Sequence, residues 1–250
     1  MPTVPVADAT LSYREQGAGA PLVLAHGFTV TGAGWAAVAT ALADRYRVLV
    51  PDLRGHGRST GAPDAGHGRD AADLVALLDH LGLARAHFVG HSGGAEALLV
   101  LGTRSLLRAR TLTLIGVNPT WDEALRAQLR ALADRLLAQP GWIDEQRRRH
   151  GATHGADHWR VLLDQVRAAA DDPALPLYQP ADLAALTCPI LLLYGDRDPI
   201  SPVERVTALY RALPNAEVAI VPATGHGPHG ERPDLAVRLL ADFLARHADA

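Results

Sequence analysis

The strongest constraint on how this chain folds is a series of short, largely apolar runs that end on glycine or proline and alternate with amphipathic stretches. Leu22–Ala25 runs into His26-Gly27, Tyr46–Val50 into Pro51-Asp52, Ala86–Val89 into Gly90, Thr111–Ile115 into Gly116, Ile190–Tyr194 into Gly195 and Ala216–Val221 into Pro222. A strand without a polar face has no side to offer to water, so such runs read as strands of a parallel sheet covered on both faces. The covering lies between them. Leu74, Leu77, Leu78 and Leu81 follow Asp70 at helical spacing, and Leu235, Leu239, Leu240, Phe243 and Leu244 follow the helix-starting pair Pro233-Asp234. This alternation implies βαβ units and an α/β fold with helices on both sheet faces. Ahead of it, Val4–Val6 and Thr10–Gln16 read as an antiparallel hairpin at the sheet edge, turning at Asp8-Ala9.

From residue 119 to residue 180 the alternation stops. Helical patterns over Leu125–Leu137 and Trp159–Ala170 are broken by Pro140-Gly141, Gly151 and Asp171-Asp172-Pro173, and no strand pattern is present. The expectation is a helical cap over residues 119–180, inserted into one core domain made of residues 1–118 and 181–250. A chain of 250 residues suits one such core. The net charge of −3 and the 20% of charged residues provide no basic stripe for nucleic acid or an anionic membrane. No window approaches the ~18 apolar residues of a membrane span, and the first residues lack the basic and apolar regions of a signal peptide. The single cysteine, Cys188, excludes an intrachain disulfide. These features point to a cytoplasmic protein; the sequence does not set its oligomeric state. All 24 basic residues are arginine, a coding bias typical of GC-rich bacteria.

Chemistry enters at Gly90-His91-Ser92-Gly93-Gly94, which fits G-x-S-x-G. In that pattern a strand turns into a helix so sharply that the serine is held in a strained backbone conformation above the strand end, and flanking side chains would collide with neighbouring backbone. With the glycines and serines of this chain, about 0.04 chance matches are expected. A serine hydroxyl is a poor nucleophile until a base takes its proton. His226, just after the last apolar run, stands at the same C-terminal edge of the sheet; His229 is its competitor, three residues further from the strand end. The base needs a carboxylate to fix its tautomer, and Asp196 and Asp198 both follow the penultimate run. After Leu22–Ala25, the loop at His26-Gly27-Phe28 can place an amide opposite the elbow. The N–H groups of Phe28 and Gly93 are the candidates for an oxyanion hole.

Taken together, these segments resemble the α/β-hydrolase fold superfamily over nearly the whole chain. The pieces are His26-Gly27-Phe28, Trp35, Asp52-Leu53-Arg54-Gly55-His56-Gly57-Arg58-Ser59, the elbow, Gly195–Ile200 and Gly225–Pro233. The resemblance implies an eight-stranded, mostly parallel sheet with helices on both faces and a helical cap between strands six and seven. It implies serine esterase-like chemistry without a cofactor, on small or medium carboxylic esters, lactones or thioesters. It selects Asp198 over Asp196, completing the chain order Ser92, Asp198, His226, and it makes Asp52–Ser59 a structural loop. Lyase, acyltransferase or cofactor-free oxygenase chemistry, or ligand sensing with a retained triad, are the alternatives on the same fold. One residue departs from the pattern: Gly93 stands where a larger side chain such as methionine or leucine is common, which implies a roomier pocket. Ser92 itself separates the chain from branches that carry aspartate at the elbow.

Trp121, Trp142 and Trp159 of the cap have two readings, pocket lining or packing among the cap helices, and His91 joins them as a candidate substrate contact. His150, His154 and His158 are spaced by four, but Gly151 and Gly155 interrupt the helix that would align them. The expectation is solvated cap histidines and no metal.

Overall fold

The computed structural model describes residues 1–249. Eight strands form one sheet: β1 (Thr3–Val6), β2 (Ala9–Gln16), β3 (Ala20–Ala25), β4 (Tyr46–Pro51), β5 (Ala86–His91), β6 (Ala109–Ile115), β7 (Ile190–Gly195) and β8 (Ala216–Val221). Their spatial order is β1-β2-β4-β3-β5-β6-β7-β8. β1 and β2 form the expected antiparallel hairpin, and β2 also runs antiparallel to β4. All remaining pairs are parallel.

Side-chain alternation along these strands separates two cores. Val23, Phe88, Leu112, Leu114 and Leu192 point to one face, where they meet α2 (Gly68–His80), α3 (Gly93–Ser105) and α8 (Val203–Ala212) through Leu74, Leu77, Leu98, Leu99, Val206 and Leu209. Leu22, Leu24, Val48, Val89 and Leu193 point to the other, against Val38 and Leu42 of α1 (Ala36–Leu42) and Leu240 and Phe243 of α10 (Pro233–Arg246). Each fully buried leucine or valine contributes about 1.5–3 kcal/mol through removal from water, so both faces must be covered. β8 departs from the expectation of two-sided burial. It is the edge strand, and Val218 and Ile220 remain 41% and 37% exposed.

Between β6 and β7 lie four helices: α4 (Glu123–Leu137), α5 (Trp142–His154), α6 (His158–Asp171) and the short α7 (Pro180–Leu183). The short α9 (Pro228–Glu231) precedes α10. α4, α5 and α6 share a small apolar centre of Ala133, Trp142, Trp159 and Leu163, with the two indoles edge to face at 6.4 Å. Among the described residues, no helix is long and apolar enough to cross a membrane.

The Asp52–Ser59 loop ties the sheet to its surroundings. The Asp52 carboxylate accepts the amides of Gly32 (2.8 Å) and Arg58 (3.0 Å), and Ser59 donates its hydroxyl to the Asp52 carbonyl while accepting the Ser12 amide. Arg54, 1% exposed, donates to Asp73 at 2.8 Å and to Asp8 at 2.7 Å. Leaving that guanidinium buried without its carboxylates would be strongly destabilising.

Candidate active site

Ser92 follows β5 directly and begins the turn into α3, with φ at +50°. A serine in the left-handed region is strained, and the surroundings hold it there. Its amide donates to the Ile115 carbonyl at 2.8 Å. The turn is possible because two neighbours lack side chains. A Cβ on Gly90 would sit 2.6 Å from the Gly94 carbonyl oxygen, and one on Gly94 would sit 2.4 Å from that of Ala25.

Two more strand ends bring Asp198 and His226 together. Asp198, 4% exposed, follows β7; one carboxylate oxygen accepts the amides of Ile200 (2.8 Å) and Ser201 (3.0 Å), and the other lies 2.8 Å from Nδ1 of His226. Burial works to raise the Asp198 pKa, but the hydrogen bond and charge of His226 and the two amides outweigh it, so the carboxyl is held below its usual range. With Asp198 ionised, Nδ1–H donates and the free nitrogen Nε2 can accept a proton. Nε2 is buried and has no hydrogen-bond partner among the described residues. The ring rests against Gly116, where a Cβ would be 2.8 Å from Cε1. Gly116 and Ser92 line the same cavity. No hydrogen bond yet joins Ser92 to His226; such links often close only when substrate binds.

The alternatives in the sequence are placed elsewhere. Asp196 is exposed and accepts the Thr224 amide at 3.2 Å. His229 is stacked on Trp35 at 4.2 Å, and its buried Nδ1 has no hydrogen-bond partner among the described residues.

Phe28 and Gly93 are neighbours: a Cβ on Gly93 would lie 3.3 Å from the Phe28 nitrogen. The Phe28 loop is held by three buried histidines, His26, His56 and His150, to which the sequence reading gave no such role. His26 accepts the Leu53 amide at Nε2 (2.8 Å) and pairs through Nδ1 with the Gly27 carbonyl (2.7 Å). His56 accepts the Thr29 amide at Nε2 (3.3 Å) and pairs through Nδ1 with the Arg54 carbonyl (2.8 Å). His150 of α5 accepts the Gly57 amide at Nδ1 (2.9 Å) and faces the Thr29 carbonyl with Nε2 (3.3 Å). Each ring offers one acceptor and one donor, which only the neutral imidazole can do. Burial depresses the pKa of all three, that of His150 to about 4. The expectation of solvated cap histidines is therefore wrong for His150, which is fully buried. His158 is also engaged, with Nε2 2.8 Å from the Gly55 carbonyl. No metal-binding cluster occurs among the described residues.

The cavity beside Ser92 is closed by Leu125, Leu129 and Leu132 of α4 and by Val166 and Ala169 of α6. Trp121 lines it and donates its indole N–H to Glu96 at 3.3 Å. Trp142 and Trp159 do not reach it; they pack within the helical segment. His91 does not line it either. Its ring lies behind the site against His226 and His229, with Nε2 3.0 Å from the His226 carbonyl. The polar side chains on the cavity wall besides Ser92 are His67, Glu96 and Asn118.

An alpha/beta hydrolase family model matches residues 22–239, and the chain belongs to that family. The chain is 32% identical to the pimeloyl-[acyl-carrier protein] methyl ester esterase of Chromobacterium violaceum, over 95% of this chain and 99% of that one. It is also 32% identical to the dihydrolipoyllysine-residue acetyltransferase component of the acetoin cleaving system of Pseudomonas putida, over 92% of this chain but only 64% of that longer protein. Among solved structures, a thermophilic esterase from Thermogutta terrifontis superposes with a TM-score of 0.75 at 29% identity, covering 96% of this chain and 94% of that one.

Proposed function

We propose that this protein is a serine hydrolase that cleaves small or medium carboxylic esters, lactones or thioesters through an acyl-enzyme on Ser92. The observation that carries the reading is that a strained Ser92 and an Asp198-held imidazole, whose Nε2 has no partner among the described residues, stand at the C-terminal rim of one sheet. Ser92 Oγ attacks the carbonyl carbon while its proton passes to His226 Nε2. The electron pair displaced onto the carbonyl oxygen is met by the amides of Phe28 and Gly93. Collapse expels the alcohol or thiol, which takes the proton from His226. A water molecule then repeats the cycle on the acyl-enzyme. Asp198 remains ionised throughout and stabilises the imidazolium. The esterase names of two relatives support this reading. The cavity of about 90 Å³, walled by leucine, valine and alanine, favours a short apolar acyl group.

A fluorophosphonate probe and a p-nitrophenyl ester series test it. Wild type should be labelled and turn over short esters, and Ser92→Ala should do neither while melting within a few degrees of wild type. Absence of both in wild type would refute the reading. Labelling without turnover would redirect it to the non-hydrolytic chemistries of this fold.

A further inference from the structure

Besides Asp198–His226, the structure holds a second buried histidine–carboxylate pair, His67–Asp70, and its histidine lines the cavity that Ser92 lines. His67 sits at the N-terminal boundary of α2 with φ at +60°, a left-handed conformation that costs energy in a histidine. Its Nδ1 lies 3.0 Å from Asp70 Oδ2, and both side chains are buried. Its other nitrogen, Nε2, finds no hydrogen-bond partner among the described residues, yet the ring forms part of the cavity wall next to Ser92, Gly93 and Phe28. The ring takes the space a side chain on residue 93 would need: a Cβ there would stand 2.8 Å from His67 Cε1, 3.2 Å from Nε2 and 3.3 Å from the Phe28 nitrogen. Gly93 therefore does not enlarge the pocket, as its small size suggested. It makes room for an imidazole beside the two amides.

We propose that His67 is a further catalytic residue, whose Nε2–H donates a third hydrogen bond to the oxygen that becomes negative when Ser92 attacks. The proposal rests on the serine-hydrolase reading above. In the step it serves, Ser92 Oγ bonds to the carbonyl carbon, the π pair moves to oxygen, and the Ser92 proton goes to His226. His67 keeps its own proton, and its hydrogen bond shortens as charge builds, then relaxes when the pair returns and the leaving group departs. Its benefit is thus confined to the transition state. Asp70, Asp64 and Glu96 face the ring, from α2, the preceding loop and α3; Arg104, at the far end of α3, approaches Gly68. Burial opposes the imidazolium, but the hydrogen bond and charge of Asp70, with Glu96 and Asp64 behind it, prevail and raise its pKa. The imidazolium, the form in which Nδ1–H serves Asp70 and Nε2 also carries a proton, accordingly persists to higher pH than in a free histidine.

The test uses p-nitrophenyl butyrate kinetics over pH, with fluorophosphonate labelling and thermal melting as controls. His67→Ala should lower kcat by about 100-fold, the loss seen when one oxyanion donor is removed elsewhere. KM should change little, and labelling of Ser92 should still reach completion. His67→Gln, which keeps a neutral N–H at similar reach, should recover part of the rate. In wild type kcat/KM should decline on the alkaline side; Asp70→Asn should move that decline to lower pH, and His67→Gln should abolish it. A purely structural role would leave the alkaline limb in place. The proposal fails if His67→Gln retains kcat within about threefold of wild type with the limb unmoved, or if the whole loss lies in KM. If His67→Ala does not fold, the His67→Gln and Asp70→Asn profiles decide alone. Wild type that neither labels nor turns over esters would sink the serine reading together with this one; wild type that does both while the variants match it would sink only the role of His67.

Discussion

Replacing His150 with alanine should weaken the protein by an amount that depends on pH in a calculable way. The ring is fully buried and bridges α5 to the Gly57 amide and the Thr29 carbonyl. Alanine would leave both backbone groups without partners, at about 1–3 kcal/mol each, and open a cavity. A loss of about 3–4 kcal/mol near pH 7.5 follows. Acid erodes the bridge in wild type. Protonation would put a hydrogen on Nδ1 against the Gly57 N–H, and burial penalises the charge, so the folded-state pKa falls to about 4 against 6.5 for a free histidine. A depressed histidine pKa means that the unfolded chain binds the proton more tightly, so stability is complete above 6.5 and is lost as pH falls toward 4. At pH 5 the linkage relation for this single site gives a loss of about 2 kcal/mol. Urea unfolding of wild type and His150→Ala at pH 7.5 and pH 5.0 would measure it. The difference between the two proteins should shrink by about 2 kcal/mol at the lower pH. A difference below about 1 kcal/mol at pH 7.5, or one equal at both pH values, would refute the reasoning.

Asp198→Asn should cut kcat for p-nitrophenyl esters by up to about 10⁴-fold, because the amide no longer fixes the His226 tautomer. Asp196→Asn should cost far less, and the opposite ranking would reverse their roles. Gly90→Ala and Gly94→Ala each force a methyl into backbone at 2.6 Å or less, so neither should give folded protein at wild-type yield. Trp142→Ala should lower stability by about 3–5 kcal/mol without changing the ranking of ester substrates. Trp121→Ala should change that ranking, as read from kcat/KM across acyl chain lengths.

The sheet was legible because burial on two faces leaves a mark that needs no partner information: Leu22–Ala25 and Ile190–Tyr194 have no polar side. The same rule overreached at β8, whose composition resembles a central strand although it lies at the edge, since strand order depends on contacts between distant segments. Ser92 stood out because the turn that lifts it demands glycines at fixed spacing. Position after successive strands marked Asp196, Asp198 and His226, the family resemblance chose Asp198 over Asp196, and the 2.8 Å approach of Asp198 to His226 is a product of topology. His150 escaped because a histidine in a polar helix resembles a solvated one until the loop it bridges is in place. His67 escaped for a similar reason, although two local signs were present: an aspartate one helical turn ahead, and the missing side chain at Gly93 in a motif that commonly carries one.

The cavity walls have a divided origin. The groups near the reacting atoms come from strand ends and the loops beside them, whereas the apolar lining supplied by Leu125, Leu129, Leu132, Val166 and Ala169 belongs entirely to the segment between β6 and β7. On the serine-hydrolase proposal, chain-length preference and bond-breaking would therefore reside in separate stretches of the gene. Trimming or lengthening a leucine on α4 would then retune which molecules enter while Ser92 and His226 stay where they are, so that selectivity could drift at little risk to the proposed turnover.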